Sequence, residues 1–209
     1  MNSQELKSVV HCLGEIKSVL TEAELLSSGA SMDQIEELVR SGVLYPSAQG
    51  IYMPENADFG ERHTEVEVAT RFPKAVICLN NALNFYNVTT QRAVKVWIAV
   101  EAGSPEPVEP KLPIKTVLMS EPGFSQGVEV YYLEGLPVKI YSLAKTIADC
   151  FVYEEEVGID VAIEAFDQVI RQRRCTVGEI LEYTKGREID PYAKQDLKNC
   201  INRWSKVSA

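Results

Sequence analysis

Gly123-Phe124-Ser125-Gln126-Gly127 has the G-x-S-x-G spacing that presents a nucleophilic serine on a tight turn between a strand and a helix. The flanks predict something else. Glu121-Pro122-Gly123 reads as a Pro-Gly turn and Val128 to Leu133 as a strand, so a hairpin turn is expected here. Both histidines, His11 and His63, precede Ser125, the reverse of the order in that hydrolase class. Glu61, His63, Glu65 and Glu67 offer metal-ligand types, and on a helix His63 and Glu67 share a face. Two ligands do not make a catalytic site, so a solvated charged face is expected. Gly103-Ser104 opens like a nucleotidyltransferase signature, but Pro105 follows and no close aspartate pair lies downstream. The cysteines (Cys12, Cys78, Cys150, Cys175, Cys200) are odd in number and hold no C-x-x-C pair, which predicts mostly buried, reduced thiols. No catalytic set, cofactor site or metal site emerges, and the chain is read as a non-enzyme.

Two charged groups remain. Arg171, Arg173 and Arg174 form the one dense basic patch, either a helix end suited to the C-terminal dipole or a contact for phosphate or an acidic partner. Lys145 and Asp149, flanking Thr146, stand four apart and pair on one helix face, as structural groups or as a partner contact. Glu154-Glu155-Glu156 is expected to end a helix.

The elements that position these residues follow from periodicity and capping. Gln4 to Val19 places Leu6, Val9, Val10, Leu13 and Ile16 on one helical face. Thr21 with Glu24 is a capping box opening a short helix that stops near Gly29. Ser31 with Gln34 opens a third, with Met32, Ile35, Leu38 and Val39 inward and Gly42 at its end. Val43 to Tyr45 and Ile51 to Met53 flank Pro46 to Gly50 as a wing. Three helices and a hairpin make a winged helix-turn-helix over residues 1–56.

Asn56 to Gly60 then reads as a junction to a second domain over 57–209. Helices are expected over Glu61 to Phe72 and Asn80 to Tyr86. Strands are expected over Ala75 to Leu79, Val94 to Val100, Ile114 to Met119, Val128 to Leu133 and Val138 to Tyr141. Gly103 to Pro113, with four prolines, is a surface loop. Ser142, Asp160, Thr176 with Glu179, and Asp190-Pro191 are expected to start the helices of a helical C-terminal tail. The fold class is α+β: the winged helix, then a mostly antiparallel sheet packed by helices.

The net charge of −9 gives no help in binding anionic surfaces. Residues 1–55 carry three basic side chains (Lys7, Lys17, Arg40) against eight acidic ones, and the wing tip Ser47-Ala48-Gln49 has no cation. No apolar run approaches bilayer length and no signal-peptide core is present, which predicts a cytoplasmic protein with no membrane partner.

Several motifs gain meaning together. Ala75-Val76-Ile77-Cys78-Leu79-Asn80-Asn81-Ala82-Leu83 leads through Thr90-Gln91 to the strand Val96 to Val100. Gly135-Leu136-Pro137-Val138-Lys139-Ile140-Tyr141 precedes Ser142-Leu143-Ala144-Lys145-Thr146-Ile147-Ala148-Asp149-Cys150, an S-x-x-K-T-x-x-D stretch. Behind a winged helix whose wing ends Gly50-Ile51-Tyr52, this order resembles the AbiEi antitoxins of type IV toxin–antitoxin systems, over residues 4 to about 187. The resemblance implies an N-terminal DNA-binding domain that represses its own operon, often as part of phage defence. It also implies a C-terminal domain that counters an AbiEii toxin, a nucleotidyltransferase-like protein, without a stable complex. The expected partners are operator DNA, that toxin and a second copy of the chain in a homodimer. Ser31, Gln34, Arg40, Gln49 and Lys17 are the candidate DNA contacts. Lys145, Thr146, Asp149, Arg171, Arg173 and Arg174 are the candidate partner or structural residues. The alternative is a protein-docking module of a phage-defence complex, with an acidic winged helix that binds a partner in place of DNA.

Overall fold

The computed structural model describes residues 2–57, 60–91, 93–107 and 113–205, with the side chain of residue 48 excepted. The chain divides into two compact units, Met1–Pro73 with Val130–Val138, and Lys74–Glu129 with Lys139–Ala209.

The first unit opens with α1 (Ser3–Gly14), which Asn2 and Glu5 cap reciprocally and which buries Leu6 and Val10. It is shorter than its periodicity predicts. A Cβ on Gly14 would lie 2.8 Å from the Pro54 side chain, so the helix ends where another segment presses on it. Ile16, expected inward, therefore falls outside the helix and is 79% exposed. The chain turns into β1 (Leu20–Thr21), then α2 (Glu22–Ser27) and α3 (Met32–Arg40), whose two capping boxes are those expected. Ile35 and Leu38 are buried, but Met32 is 43% exposed because the first residue of α3 lies at the rim of the core. Gly42, at φ +76°, closes α3. β2 (Leu44–Ala48) and β3 (Ile51–Pro54) form the wing, and β1 joins antiparallel to β3, giving the order β1-β3-β2. α4 (His63–Arg71) packs on β2, so the first unit extends past the expected junction to Pro73. The architecture is a winged helix-turn-helix.

After the first 73 residues comes a five-stranded sheet in the order β6-β5-β4-β8-β7, whose residues Val130–Val138 are counted with the first unit and the rest with the second. Its strands are β4 (Val76–Ile77), β5 (Val96–Glu101), β6 (Ile114–Met119), β7 (Val128–Leu133) and β8 (Leu136–Tyr141), with α5 (Leu79–Phe85) between β4 and β5. β4 is shorter than predicted because Leu79, with φ +46°, already belongs to α5. β4 pairs antiparallel with β5, whereas β5–β6 and β4–β8 are parallel, so the sheet is mixed. Pairing β5 parallel to its sequence neighbour β6 requires a long return, and the proline-rich stretch after Gly103 supplies it. Residues 108–112 of that stretch lie outside the described residues.

Five helices follow: α6 (Leu143–Val152), α7 (Glu154–Val157), α8 (Ile159–Arg171), α9 (Val177–Glu182) and α10 (Pro191–Ser205). They cover the sheet around Tyr141, Phe151 and Phe166, the last two edge-to-face at 6.1 Å. Two expected boundaries differ. Asp160 does not cap α8; Gly158, at φ +91°, is the cap residue and Asp160 lies in the first turn, where its charge suits the dipole. Glu154 to Glu156 start the short α7, a position where acidic side chains are favoured, and do not end a helix.

Candidate functional site

Two places collect the candidate residues. At the winged helix, the turn between α2 and α3 is opened by Gly29 at φ +94°. Ser31 Oγ accepts from the Gln34 amide at 3.3 Å, and Gln34 Oε1 accepts from the Ser31 amide at 3.0 Å. Both side chains are thus turned onto their own helix start. Lys17 Nζ donates to Glu24, whose other oxygen accepts from the Thr21 amide and hydroxyl at 2.8 Å. Burial pushes the Glu24 carboxyl up, but the bonds from Lys17 and Thr21 outweigh it and hold it below its ordinary value. Three of the five candidate contacts are therefore engaged inside the unit. Arg40 on α3 and Gln49 at the wing tip are exposed, and so are Asp33, Glu36 and Glu37.

The second place is α6. Ser142 caps it, accepting from the Lys145 amide at 3.4 Å. Lys145 Nζ donates to Asp149 Oδ1 at 2.7 Å and Oδ2 at 2.5 Å, and lies 4.2 Å above the Tyr141 ring. Lys145 and Asp149 are 1% and 0% exposed. Arg187, in the turn after α9, donates Nη1–H to Asp149 and stacks its guanidinium 5.6 Å from the Tyr153 ring. Burial pushes the Lys145 ammonium down despite the attraction of Asp149. Burial acts the same way on Arg187, but there Asp149 and Tyr153 win and raise it. Burial and the nearby Asp149 charge push the Tyr141 phenol well up, and its O–H donates to the Phe124 carbonyl at 2.7 Å. Thr146 Oγ–H donates to the Tyr141 carbonyl at 3.2 Å. The S-x-x-K-T-x-x-D residues thus tie β8, α6 and the α9–α10 turn together. The Lys145 ammonium is buried and held by both oxygens of one carboxylate.

The G-x-S-x-G stretch serves that same network. A Cβ on Gly127, which sits at φ +69°, would come within 2.9 Å of Lys145 Cβ, so this glycine lets the loop lie against the ion cluster; a Cβ on Gly123 would instead crowd the Ser120 carbonyl at 3.1 Å. The loop is not the hairpin turn its sequence predicts: it joins β6 to β7, which occupy opposite edges of the sheet. Ser125 Oγ–H donates to the Glu121 carboxylate at 2.6 Å, and a strand follows the loop where the G-x-S-x-G elbow has a helix.

The remaining candidates are dispersed. Arg171 ends α8, and Arg173, at φ +55°, follows it; both are exposed. Arg174 donates to the Tyr86 carbonyl at 2.6 Å. His63 and Glu67 do not face solvent as a charged pair: His63 pairs with Glu134 at 3.1 Å and Glu67 with Arg71 at 2.8 Å. Among the described residues no group of three or more metal-ligand side chains converges. Cys78, Cys150 and Cys200 are buried, Cys175 partly, while Cys12 is exposed, contrary to its apolar neighbourhood in sequence. Two residues central to these clusters, Arg187 and Glu134, carry no motif; only the glycine beside each marks a turn.

No family model matches the chain, and no curated protein matches it. Among solved structures it is similar to the RV2827C protein from Mycobacterium tuberculosis, with a TM-score of 0.64 at 12% identity over 93% of this chain and 75% of that one. At that identity the likeness concerns fold alone, and it extends over nearly the whole α+β chain. No helix among the described residues is long and apolar enough to cross a membrane.

Proposed function

We propose that the chain is an antitoxin-like transcriptional regulator of the AbiEi type, which binds operator DNA through its winged helix and counters a nucleotidyltransferase-like toxin. The observation that carries this is the pairing of two features. A complete helix-turn-helix with a three-stranded wing stands first, and the S-x-x-K-T-x-x-D residues after it build a packed core in which Lys145, Thr146 and Asp149 are buried. In a winged helix the exposed face of the second helix of the motif enters the major groove and the wing follows the backbone. Arg40 and Gln49 are exposed on α3 and at the wing tip, which supports assigning those contacts to them. Ser31, Gln34 and Lys17 act by holding α2 and α3 in shape. Exposed Arg171 and Arg173 are the candidates for a phosphate or toxin contact in the second unit.

The experiment is a mobility-shift titration on the chain's own upstream DNA against an unrelated fragment, at two salt concentrations. A specific shift that Arg40→Ala weakens several-fold is expected. No shift at low salt overturns the DNA half.

One observation favours a second function. The exposed face of α3 carries Asp33, Glu36 and Glu37 against the single cation Arg40, and phosphate is repelled by such a surface. In that case the winged helix docks a basic protein, and Glu36→Lys with Glu37→Lys abolishes co-purification of the partner while leaving DNA unbound.

A further inference from the structure

Glu134 and Gly135 form the two-residue connection between β7 and β8, with φ of +50° and +81°. Such a turn demands left-handed backbone at both positions, which glycine, asparagine and aspartate adopt most readily. A glutamate there carries some strain, and its side chain supplies the compensation. Glu134 Oε2 accepts from the Ser18 hydroxyl and pairs with His63 Nδ1 at 3.1 Å; Oε1 accepts from the Gly60 amide at 3.2 Å. A carboxylate only accepts, so the His63 ring carries its proton on Nδ1. The Glu134 side chain is 13% exposed and Ser18 is buried. A Cβ on Gly60 would stand 3.1 Å from Glu134 Oε1, so the glycine leaves room for the carboxylate. The acid lies between the hydroxyl and the ring, which excludes a serine nucleophile activated by His63.

All these residues belong to the first unit, although the strands that carry Glu134 continue into the five-stranded sheet. Ser18 lies two residues before β1, and β1 is hydrogen-bonded to the wing strand β3 through Leu20–Tyr52 and Thr21–Ile51. We propose that Glu134 is a clasp that fastens the tip of the β7–β8 hairpin to the corner preceding β1, and so couples the hairpin to the wing. Opening the clasp frees the Ser18 corner and loosens β1 on β3; a ligand that displaces the hairpin is felt at the wing. This coupling holds whether the winged helix meets DNA or a protein.

Amide hydrogen exchange on the full chain tests it, comparing the wild type with Glu134→Ala, Glu134→Gln and Ser18→Ala. In Glu134→Ala, amides at Leu133 to Leu136 and at Leu20, Thr21 and Tyr52 are expected to exchange about tenfold faster or more, with Val96 to Glu101 unchanged. Faster exchange at the hairpin alone overturns the coupling, and unchanged exchange at both overturns the clasp. Ser18→Ala removes one donor without disturbing the turn. It must give the same pattern at smaller amplitude, and it decides the matter by that pattern should Glu134→Ala fail to fold.

Discussion

Asp149, itself buried, accepts from two cations, buried Lys145 and part-buried Arg187, and the three groups do not contribute equally. Removing the carboxylate leaves Lys145 and Arg187 facing each other uncompensated, which costs about 3–5 kcal/mol. Arg187→Met leaves the Lys145–Asp149 pair satisfied and is expected to cost clearly less in urea unfolding. Equal losses for Asp149→Ala and Arg187→Met would mean that the pair does not stand without the arginine. Glu24 makes a second prediction. Its folded value lies below the ordinary 4.5, so its contribution is present above that pH and is lost as pH falls through the folded value. Melting temperatures between roughly pH 6 and pH 3 should fall more steeply for the wild type than for Glu24→Gln, and identical slopes would exclude the carboxylate as the cause. The Lys145–Asp149 spacing is legible in the sequence because both partners lie on one helix. Their burial and the arrival of Arg187 are not, since an arginine 38 residues on reaches them only through the α9–α10 turn.

Helix starts are the elements the sequence describes best. The boxes at Thr21, Ser31 and Thr176 and the Ser142 cap involve partners three residues apart, and each forms as expected. Ser31→Ala is therefore expected to lower unfolding stability by about 1 kcal/mol. If Ser31 serves the helix and not a base, operator affinity measured well below the melting temperature stays within about twofold of wild type by the same logic. A large loss of affinity in a fully folded variant would return Ser31 to the DNA surface. Helix ends were harder. α1 stops at Gly14 because Pro54 and Asn56 press there, a contact from the far end of the wing. The start of α8 moves from Asp160 to Gly158 because the left-handed glycine already turns the chain.

For the whole molecule, charge sets a limit on the DNA binding proposed above. With a net charge of −9 and an acidic α3, few phosphates would be neutralised. If two are, the plot of log affinity against log salt has a slope of about −1.8, and a slope steeper than about −5 would require cations beyond Arg40 and the Arg171 to Arg174 patch.

The sequence by itself determined the α+β class, the winged helix with both boxes, and the places of β6 and β7 to the residue. These depend on side-chain alternation and on caps that reach three or four positions along the chain, so local physics suffices. Only the tertiary structure decided that β6 and β7 stand at opposite edges, that the sheet is mixed, and that Arg187 and Glu134 complete the two polar clusters. Strand order and ion partners are set by which distant surfaces exclude water together. Ser18 and Glu134 lie 116 residues apart, and nothing in the neighbourhood of either names the other.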